Sequence, residues 1–317
     1  MIENLFIFFV SLFFIIKGST LAIKYSSKIA SSFNLSKYIV GFFIVAVIGV
    51  IPETLVVINS AIQNVPSMGL GTIFGSNFAD LTLIFAITVL YARRSLKIES
   101  HILKDTAIYP FILLIPIALG VDGFYSRIEG LALILSGVIF YILSFKNDQK
   151  NKRLSVGNSK PEPQKNNTNK LDFLFLILSL ILLLLGSHFI VSSGVEIAIM
   201  LNINKVIIGL FFIGLGTTMP ELFFCLSAVK NNQDSLAIGD VLGTVLADAT
   251  IVIGLLALIN PFAFPQKIVY VAGLFMVAAA FLLFYLMRTG KSLTRSEAVL
   301  LVFFWGLFVC TELILNT

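Results

Sequence analysis

Long apolar runs alternate with short polar stretches along this 317-residue chain. A helix of roughly 20 apolar residues spans the roughly 30 Å hydrocarbon core of a membrane, and ten of the runs approach that length. They lie near residues 3–23, 38–60, 67–92, 106–121, 126–145, 172–196, 206–229, 235–259, 266–287 and 294–314. The pattern therefore predicts an all-α membrane protein with ten transmembrane helices.

The chain also repeats itself with a constant spacing of 168 residues. The segment 41–80 aligns with 209–248 without a gap, which pairs Glu53 with Glu221 and Asp80 with Asp248. The same spacing pairs several glycines and the prolines that precede the two glutamates. The protein is therefore predicted to contain two copies of one unit, each with two acidic residues inside apolar sequence.

Each copy contains five predicted spans. An odd number of spans makes the second copy enter the membrane in the opposite direction to the first. We therefore predict two inverted five-helix repeats, residues 1–145 and 171–317. Transporters built from inverted repeats place their binding sites near the membrane midplane, between the repeats.

One long polar segment, residues 146–170, separates the two copies. It is rich in Asn, Lys and Pro, which predicts a disordered linker. The linker and the loops after the first and third spans hold most of the Lys and Arg residues. Because cytoplasmic loops are enriched in Lys and Arg, we predict a cytoplasmic linker and outside termini in a multi-pass protein of the plasma or inner membrane.

The composition supports the membrane class and excludes several others. Hydrophobic residues make up 58% of the chain and charged residues 12%, with a mean hydropathy of +0.99, which is too apolar for a soluble globular protein. The net charge of +5 comes mostly from the stretches between apolar runs and indicates no nucleic-acid surface. Both cysteines lie in apolar runs, so neither a disulfide framework nor a cysteine metal cluster is expected.

The four repeated acids, Glu53, Asp80, Glu221 and Asp248, are expected to lie within the membrane. Each ionised group at mid-span costs about 2.5 to 3.5 kcal/mol, so the four together cost on the order of 10 kcal/mol. The alternative is four incidental acids that reach the interface or pair with basic residues, but their spans contain no Lys or Arg near mid-membrane. Carboxylates without internal counter-charges indicate a bound cation or bound protons.

Neutral oxygen atoms accompany the acids in the sequence. Proline at positions 52 and 220 removes an amide donor and frees carbonyls about one turn earlier, which predicts carbonyl ligands at Ala46, Gly49 and Gly214. Side-chain oxygens complete the candidate set, namely those of Ser76, Asn77, Thr217, Thr218 and Thr244. Oxygen ligands of these kinds suit Ca²⁺ and Na⁺. Glycines 71, 75, 239 and 243 fit close helix packing as well as a ligand role.

Two other polar residues of the predicted spans leave alternatives open. Asp240 lies near the cytoplasmic end of the eighth span, where it either lines the access route or meets water. His188 in the sixth span either carries protons or forms an interhelical hydrogen bond.

The motifs around the acids resemble those of the cation/Ca²⁺ exchanger superfamily, which contains the sodium/calcium exchangers. Each alpha-repeat of that family carries a G-T-S-x-P-E-like motif in one helix and a G-S-N-x-x-[ND]-like motif in the next. Here the second repeat reads GTTMPE at 216–221 and GTVLAD at 243–248, and the first reads IGVIPE at 48–53 and GSNFAD at 75–80. The resemblance implies ten helices, a central site in which Glu53 and Glu221 hold Ca²⁺, neighbouring sites for coupling ions, and movement of helices 1 and 6 for alternating access.

The first repeat departs from the family pattern in two ways. Gly49 and Val50 stand where the family usually has Thr-Ser, and Asp80 stands where many relatives have Asn. These differences remove two hydroxyl ligands and add a carboxyl group. Crowded carboxylates disfavour one another's ionised forms, so the departures make coupling to H⁺ an alternative to coupling to Na⁺.

The predicted function is secondary active antiport of Ca²⁺ against Na⁺. An H⁺-coupled exchanger of Ca²⁺ or another divalent cation is the alternative. A scaffold would not need the duplicated acids, and a channel would not need four buried carboxylates on broken, inverted helices. The sequence contains no enzyme motif such as H-E-x-x-H. The expected partners are the transported ions and the lipid bilayer, with neither a cofactor nor a nucleic acid.

Overall fold

The computed structural model describes residues 2–32, 36–62, 66–99, 108–155, 170–200 and 215–316, most of which are helical. The helices are α1 (Ile2–Ser32), α2 (37–62), α3 (66–92), α4 (Tyr109–Leu119), α5 (Arg127–Ser155), α6 (Lys170–Met200), α7 (215–230), α8 (Asp234–Ile259), α9 (Val269–Gly290) and α10 (Arg295–Asn316). The strands are β1 (Leu96–Lys97), β2 (Phe124–Tyr125), β3 (Phe262–Ala263) and β4 (Ser292–Leu293). The all-α prediction missed these short strands.

Several helices change their hydrogen-bonding pattern along their length. The π-helical segments are Val40–Val45 in α2, Asp80–Ile84 in α3, Asp248–Val252 in α8 and Val269–Gly273 in α9. Helix α2 is interrupted at Val50, and helix α7 is interrupted at Thr218. The α-helical segments beside these breaks are Ala46–Gly49 and Ile51–Ile62 in α2, and Leu215–Thr217 and Met219–Lys230 in α7. Single π-helical turns inside α-helices are frequent at functional sites.

Five of the described helices are long and apolar enough to cross a membrane. They are Gly69–Ala92, Arg127–Asp148, Asp234–Ile259, Val269–Gly290 and Arg295–Leu315. The predicted spans at 67–92, 235–259 and 294–314 begin and end within two residues of α3, α8 and α10. The predicted span 206–229 is described only from residue 215, because residues 201–214 lie outside the described part of the chain.

Helix α5 continues to Ser155, well past residue 146, where a disordered linker was predicted to begin. The segment 146–155 contains neither Pro nor Gly, the two residues that most strongly disfavour a helix interior. The prediction of disorder was therefore wrong for these ten residues. Residues 156–169 of the linker lie outside the described residues.

Helices α1 and α6 occupy corresponding positions in the two copies, and they pack antiparallel along their length. Their first and last residues differ by the same 168 positions that relate the copies. Lys28 Nζ lies 2.8 Å from Asp172 Oδ1, and the rings of Tyr25 and Phe175 stack at 5.2 Å. Near the middle, a Cβ on Gly18 would lie 2.9 Å from the carbonyl oxygen of Ser179, so glycine permits the close approach.

Helices α3 and α8, also counterparts in the two copies, form the centre of the protein. In each helix, 78% of an apolar stretch of 18 residues is buried, compared with 22% in α10. Helices α3 and α8 are therefore central, and α10 is peripheral. Asn77 Nδ2 donates a hydrogen bond to the carbonyl oxygen of Val245, its own counterpart, at 3.4 Å. Arg94, just after α3, contacts Asp234 at the start of α8. The two helices therefore also run antiparallel.

Glycines allow α2 to pack tightly against α8. A Cβ on Gly239 would collide with the backbone of Tyr38 and Phe42, and one on Gly243 would collide with Phe42 and with the Cβ of Ala46. The close-packing interpretation of these two glycines is therefore correct. This contact brings the first copy's motif 48–53 against the second copy's motif 243–248.

Two small antiparallel sheets connect the halves. Strand β1 pairs with β4, and strand β2 pairs with β3. Each sheet therefore contains one strand from each copy. The strands follow or precede membrane helices directly, so they fix the ends of α3, α5, α8 and α10 relative to one another.

Candidate cation-binding site

The four repeated acids are all buried, as their positions inside apolar runs predicted. Their exposed fractions are 1% for Glu53, 1% for Asp80, 2% for Glu221 and 0% for Asp248. No hydrogen-bond donor of another described residue reaches either carboxylate oxygen of Glu221 or of Asp248, or Oδ1 of Asp80. Buried charges in proteins are normally paired or bound to a metal ion.

Ion pairs in the described residues lie away from these acids. Lys28 pairs with Asp172, and Arg94 pairs with Asp234. Neither pair includes Asp80, Glu221 or Asp248, and no other basic side chain of the described ranges forms a salt bridge with those three. In the described part of the chain, these three acids are thus close to other acids but form no salt bridge with a basic side chain.

Both glutamates lie in the first turn of a helical segment. Glu53 is the third residue of Ile51–Ile62, and Glu221 is the third residue of Met219–Lys230. Each segment has proline as its second residue, where the missing amide hydrogen is tolerated. The broken helices therefore hold the two carboxylates at corresponding places in the two copies.

Both aspartates begin a π-helical segment. Asp80 is the first residue of Asp80–Ile84, and Asp248 is the first residue of Asp248–Val252. A π-helical turn shifts the register of backbone hydrogen bonds. The two aspartates are therefore placed by the same local distortion, repeated after 168 residues.

The neutral candidates differ in what their oxygens contact. Thr244 Oγ1 and Asn77 Oδ1 are buried and meet no donor in the described part of the chain. Ser76 Oγ donates to the carbonyl oxygen of Ile73 at 3.1 Å, and Thr218 Oγ1 donates to that of Leu215 at 3.0 Å, which leaves each hydroxyl oxygen able to accept.

The other predicted oxygen ligands include the carbonyls of Ala46 and Gly214 and the hydroxyl of Thr217. The carbonyl of Ala46 is not freed as predicted, because the Val50 amide donates to it at 3.0 Å. The carbonyl that loses a helical partner at Pro52 is that of Ile48, four residues earlier. Gly214 and the side chain of Thr217 lie outside the described residues.

Gly49 brings the two copies into direct contact. A Cβ at this position would lie 2.6 Å from Glu221 Oε1 and 3.5 Å from Thr244 Oγ1. One residue of the first copy therefore lies against a carboxylate and a hydroxyl of the second. The missing hydroxyl at position 49 leaves space that the Glu221 carboxylate approaches.

The acids of both copies are electrostatic neighbours. Glu53 lies close enough to Asp80, Glu221 and Asp248 for their negative charges to repel one another. Within the described ranges, however, no three Asp, Glu, His or Cys side chains converge closely enough to hold one metal ion. A cation held here would therefore bind at most two of these carboxylates, together with neutral oxygens.

A fifth acid, Asp240, belongs to the same region. It is only 1% exposed, so the interpretation in which it meets water is wrong. Its charge acts on Asp80 and Glu221. The sequence signal was present, since Asp240 lies inside the predicted span 235–259, but its nearness to the span's end suggested a more solvated position.

Two buried tyrosines were not anticipated from the sequence. Tyr109 donates to the carbonyl oxygen of Leu242 at 2.6 Å, and Tyr141 donates to that of Gly243 at 2.7 Å. Both bonds fix the backbone of α8 immediately before Thr244. These tyrosines are in separate helices, and nothing in the sequence pattern links them to that motif.

Fold and site together define a multi-pass helical membrane protein whose two related halves meet at buried carboxylates. The chain belongs to the sodium/calcium exchanger protein family, whose sequence profile matches residues 3–146 and 171–313. The matched ranges correspond to the two copies and omit most of the segment between them.

Individual relatives agree with that assignment. Sodium/calcium exchanger MaX1 of Methanosarcina acetivorans is 24% identical over 352 residues, covering 96% of this chain and 97% of that protein. Inner membrane protein YrbG of Escherichia coli is 25% identical over 243 residues, 74% of each chain. The structure of the sodium-calcium exchanger NCX_Mj soaked with Na⁺ and Sr²⁺ superposes with a TM-score of 0.83 at 22% identity and covers 98% of both chains. The protein therefore has the fold of that exchanger.

Proposed function

We propose that this protein is a secondary active antiporter that moves Ca²⁺ across a membrane in exchange for Na⁺. The observation that carries the proposal is the contact of Gly49 with Glu221 and Thr244, which joins the duplicated motifs of both copies at buried carboxylates. Such carboxylates require a counter-charge that comes from outside the protein. A transported cation supplies it.

In this proposal Glu53 and Glu221 hold Ca²⁺ at the membrane midplane, and Asp80 and Asp248 flank it. Ca²⁺ takes about 6 to 8 oxygen ligands, so neutral oxygens must complete the shell. The candidates are the oxygens of Ser76, Asn77, Thr217, Thr218 and Thr244, the carbonyls of Gly49 and Gly214, and the second lone pair of the Ala46 carbonyl.

We further propose ten transmembrane helices in two inverted repeats, residues 1–145 and 171–317, joined by a cytoplasmic segment at 146–170. The antiparallel packing of α1 with α6 and of α3 with α8 supports this architecture, because counterparts in inverted repeats run in opposite directions. The Lys28–Asp172 ion pair also supports movement of α1 and α6 as one body during alternating access.

Na⁺ is the proposed coupling ion because the relatives MaX1 and NCX_Mj carry the name sodium/calcium exchanger. Coupling to H⁺ is the second candidate. It is favoured by Asp80, which adds a carboxyl group where many relatives have Asn, and by the additional buried carboxyl group of Asp240.

The decisive experiment is ⁴⁵Ca²⁺ uptake into proteoliposomes. Vesicles are given an outward Na⁺ gradient at equal pH, or an outward H⁺ gradient without Na⁺, and Glu221→Gln protein is the inactive control. We expect uptake that depends on the Na⁺ gradient. Uptake with the H⁺ gradient alone would show that the coupling ion is H⁺ and not Na⁺. Uptake independent of both gradients would contradict antiport.

The inverted arrangement has its own test. With Cys225 and Cys310 replaced by Ser, single cysteines are introduced at Lys160 and Thr317 and labelled with a membrane-impermeant maleimide. We expect Lys160→Cys to react only from the cytoplasmic side and Thr317→Cys only from outside. Labelling of both from one side would contradict an odd number of spans in the second repeat.

A further inference from the structure

A small recess lies beside the proposed central site. It has a volume of about 10 Å³, and Asp240, Glu221 and Gly49 line it together with leucines 180, 183 and 184 of α6. That volume accommodates about one water molecule or one dehydrated ion. The remaining wall is largely apolar.

Both carboxylates of the recess are buried, and they lack compensating contacts. Asp240 is 1% exposed and Glu221 is 2% exposed. Asp240 Oδ2 and both carboxylate oxygens of Glu221 meet no hydrogen-bond donor from any other residue that the structure describes. Arg94, which contacts the start of α8, is already paired with Asp234. When both carboxylates are ionised, the pair therefore needs a cation from outside the protein.

Space and charge together select the ion. Two carboxylates carry two negative charges, while the recess holds about one ion. A single divalent cation neutralises both carboxylates, whereas a single Na⁺ neutralises only one. Ca²⁺ also accepts the carboxylate oxygens that the recess presents.

The position of Asp240 along α8 separates the recess from the central site. Asp240 lies six residues after Asp234, the ion-paired residue at the start of the helix, which is about 9 Å along the axis at 1.5 Å per residue. It lies eight residues before Asp248, which is about 12 Å. The counterpart of Asp240 in the first copy is Thr72, so the second carboxylate is present in one copy alone.

We propose that Asp240 and Glu221 form a second divalent-cation site next to the central one, on the side of the Arg94–Asp234 ion pair. Glu221 belongs to both sites, so the ion moves between them by exchanging Glu53 for Asp240 as the partner carboxylate. This inference rests on the proposed function, because it takes the ion of the recess to be the transported one.

Calorimetric Ca²⁺ titration of purified protein distinguishes the two sites. Glu53→Gln removes a carboxylate of the central site alone, so we expect this variant to keep a weak residual affinity. Adding Asp240→Asn should lower the residual affinity by about tenfold or more, the scale on which ligand-shell changes act. Adding Asp240→Glu should preserve it, and adding Glu297→Gln, a change in a peripheral helix cap, is the matched control.

The outcomes separate the two proposals. Wild-type affinity in Glu53→Gln would contradict the central site and hence the proposed function. Residual binding that is absent, or that survives Asp240→Asn, would overturn the recess site while leaving the central site intact. If the double variant does not fold, anomalous scattering from a Sr²⁺-soaked crystal of Glu53→Gln decides the question. An ion within about 3 Å of the Asp240 carboxylate supports the site, and no ion there overturns it.

Discussion

The two copies share a scaffold but differ in charge and space around their glutamates. Helices α1 and α6 begin and end at corresponding residues, and π-helical segments begin at both Asp80 and Asp248. Glu221, however, lies against Gly49 and shares a recess with Asp240. The sequence counterparts of those two neighbours are threonines, Thr217 and Thr72. The two copies thus share their backbone distortions, while the second carboxylate beside Glu221 has no counterpart in the first copy.

The two ends of the bundle differ in the same way. Arg94 donates two hydrogen bonds to Asp234, at 2.6 and 2.7 Å. The counterpart of Arg94 in the other copy is Phe262, and that of Asp234 is Pro66, so this ion pair is not repeated. The Lys28–Asp172 pair likewise has no charge-matched counterpart, since the equivalent positions hold Glu196 and Asn4. Packing of the scaffold is therefore repeated in the two copies, while these two ion pairs are not.

The largest expected effect comes from the paired glutamates. Glu53→Gln and Glu221→Gln should each lower Ca²⁺ affinity by more than about 100-fold, because outer-shell changes alone cost about 10- to 100-fold and these changes remove a charged ligand. Glu221→Gln should be the more severe, since Glu221 also lines the recess. Calorimetry measures both, with Glu297→Gln as control. Wild-type affinity in either variant would refute the two-glutamate site.

Gly49→Ala tests the difference in space. The added Cβ would lie 2.6 Å from Glu221 Oε1, so the carboxylate must turn away. A displaced ligand should weaken Ca²⁺ binding by about tenfold, the lower end of the range for disturbed metal ligands, without loss of folding. The matched control is Gly306→Ala, where an added Cβ meets no described atom within 4 Å. Equal Ca²⁺ affinity in the two variants would show that Gly49 does not set the position of Glu221.

Arg94→Gln tests the ion pair at the end of the central helices. The guanidinium also donates to the carbonyl oxygen of Val229, and hydrogen bonding to Asp234 raises the pKa of Arg94 above its ordinary value, so the arginine stays charged. Loss of these bonds should lower the free energy of unfolding by about 1.5 to 3 kcal/mol. Thermal unfolding in detergent measures the change against Arg288→Gln. Equal stability of the two variants would show that the Arg94–Asp234 ion pair does not stabilise the protein.

Lys28→Gln should have the smallest effect. The Lys28 side chain is 40% exposed, and exposed ion pairs contribute less than about 1 kcal/mol. A double-mutant cycle with Asp172→Asn isolates the coupling between the two side chains. A coupling energy as large as that of the Arg94–Asp234 pair would show that the two ion pairs stabilise the helix bundle equally.

The sequence alone determined the scaffold and most of the acids. Apolar runs and the 168-residue spacing located α3, α8 and α10 to within two residues, and they identified Glu53, Asp80, Glu221 and Asp248 as buried. These features follow from local rules, since a membrane imposes helix length and makes every buried charge conspicuous in apolar sequence. The short strands and the helical continuation of α5 to Ser155 did not follow, because pairing partners and helix ends depend on weaker signals.

Only the tertiary structure decided which residues of one copy face the other. Gly49 was a missing hydroxyl in the sequence, but packing places it against Glu221. Asp240 was an acid near a helix end, but the leucines of α6 enclose it with Glu221. Ala46 kept a helical hydrogen bond to its carbonyl. The physical reason is that contacts between helices depend on their axial register and separation, which the order of residues within either helix does not specify.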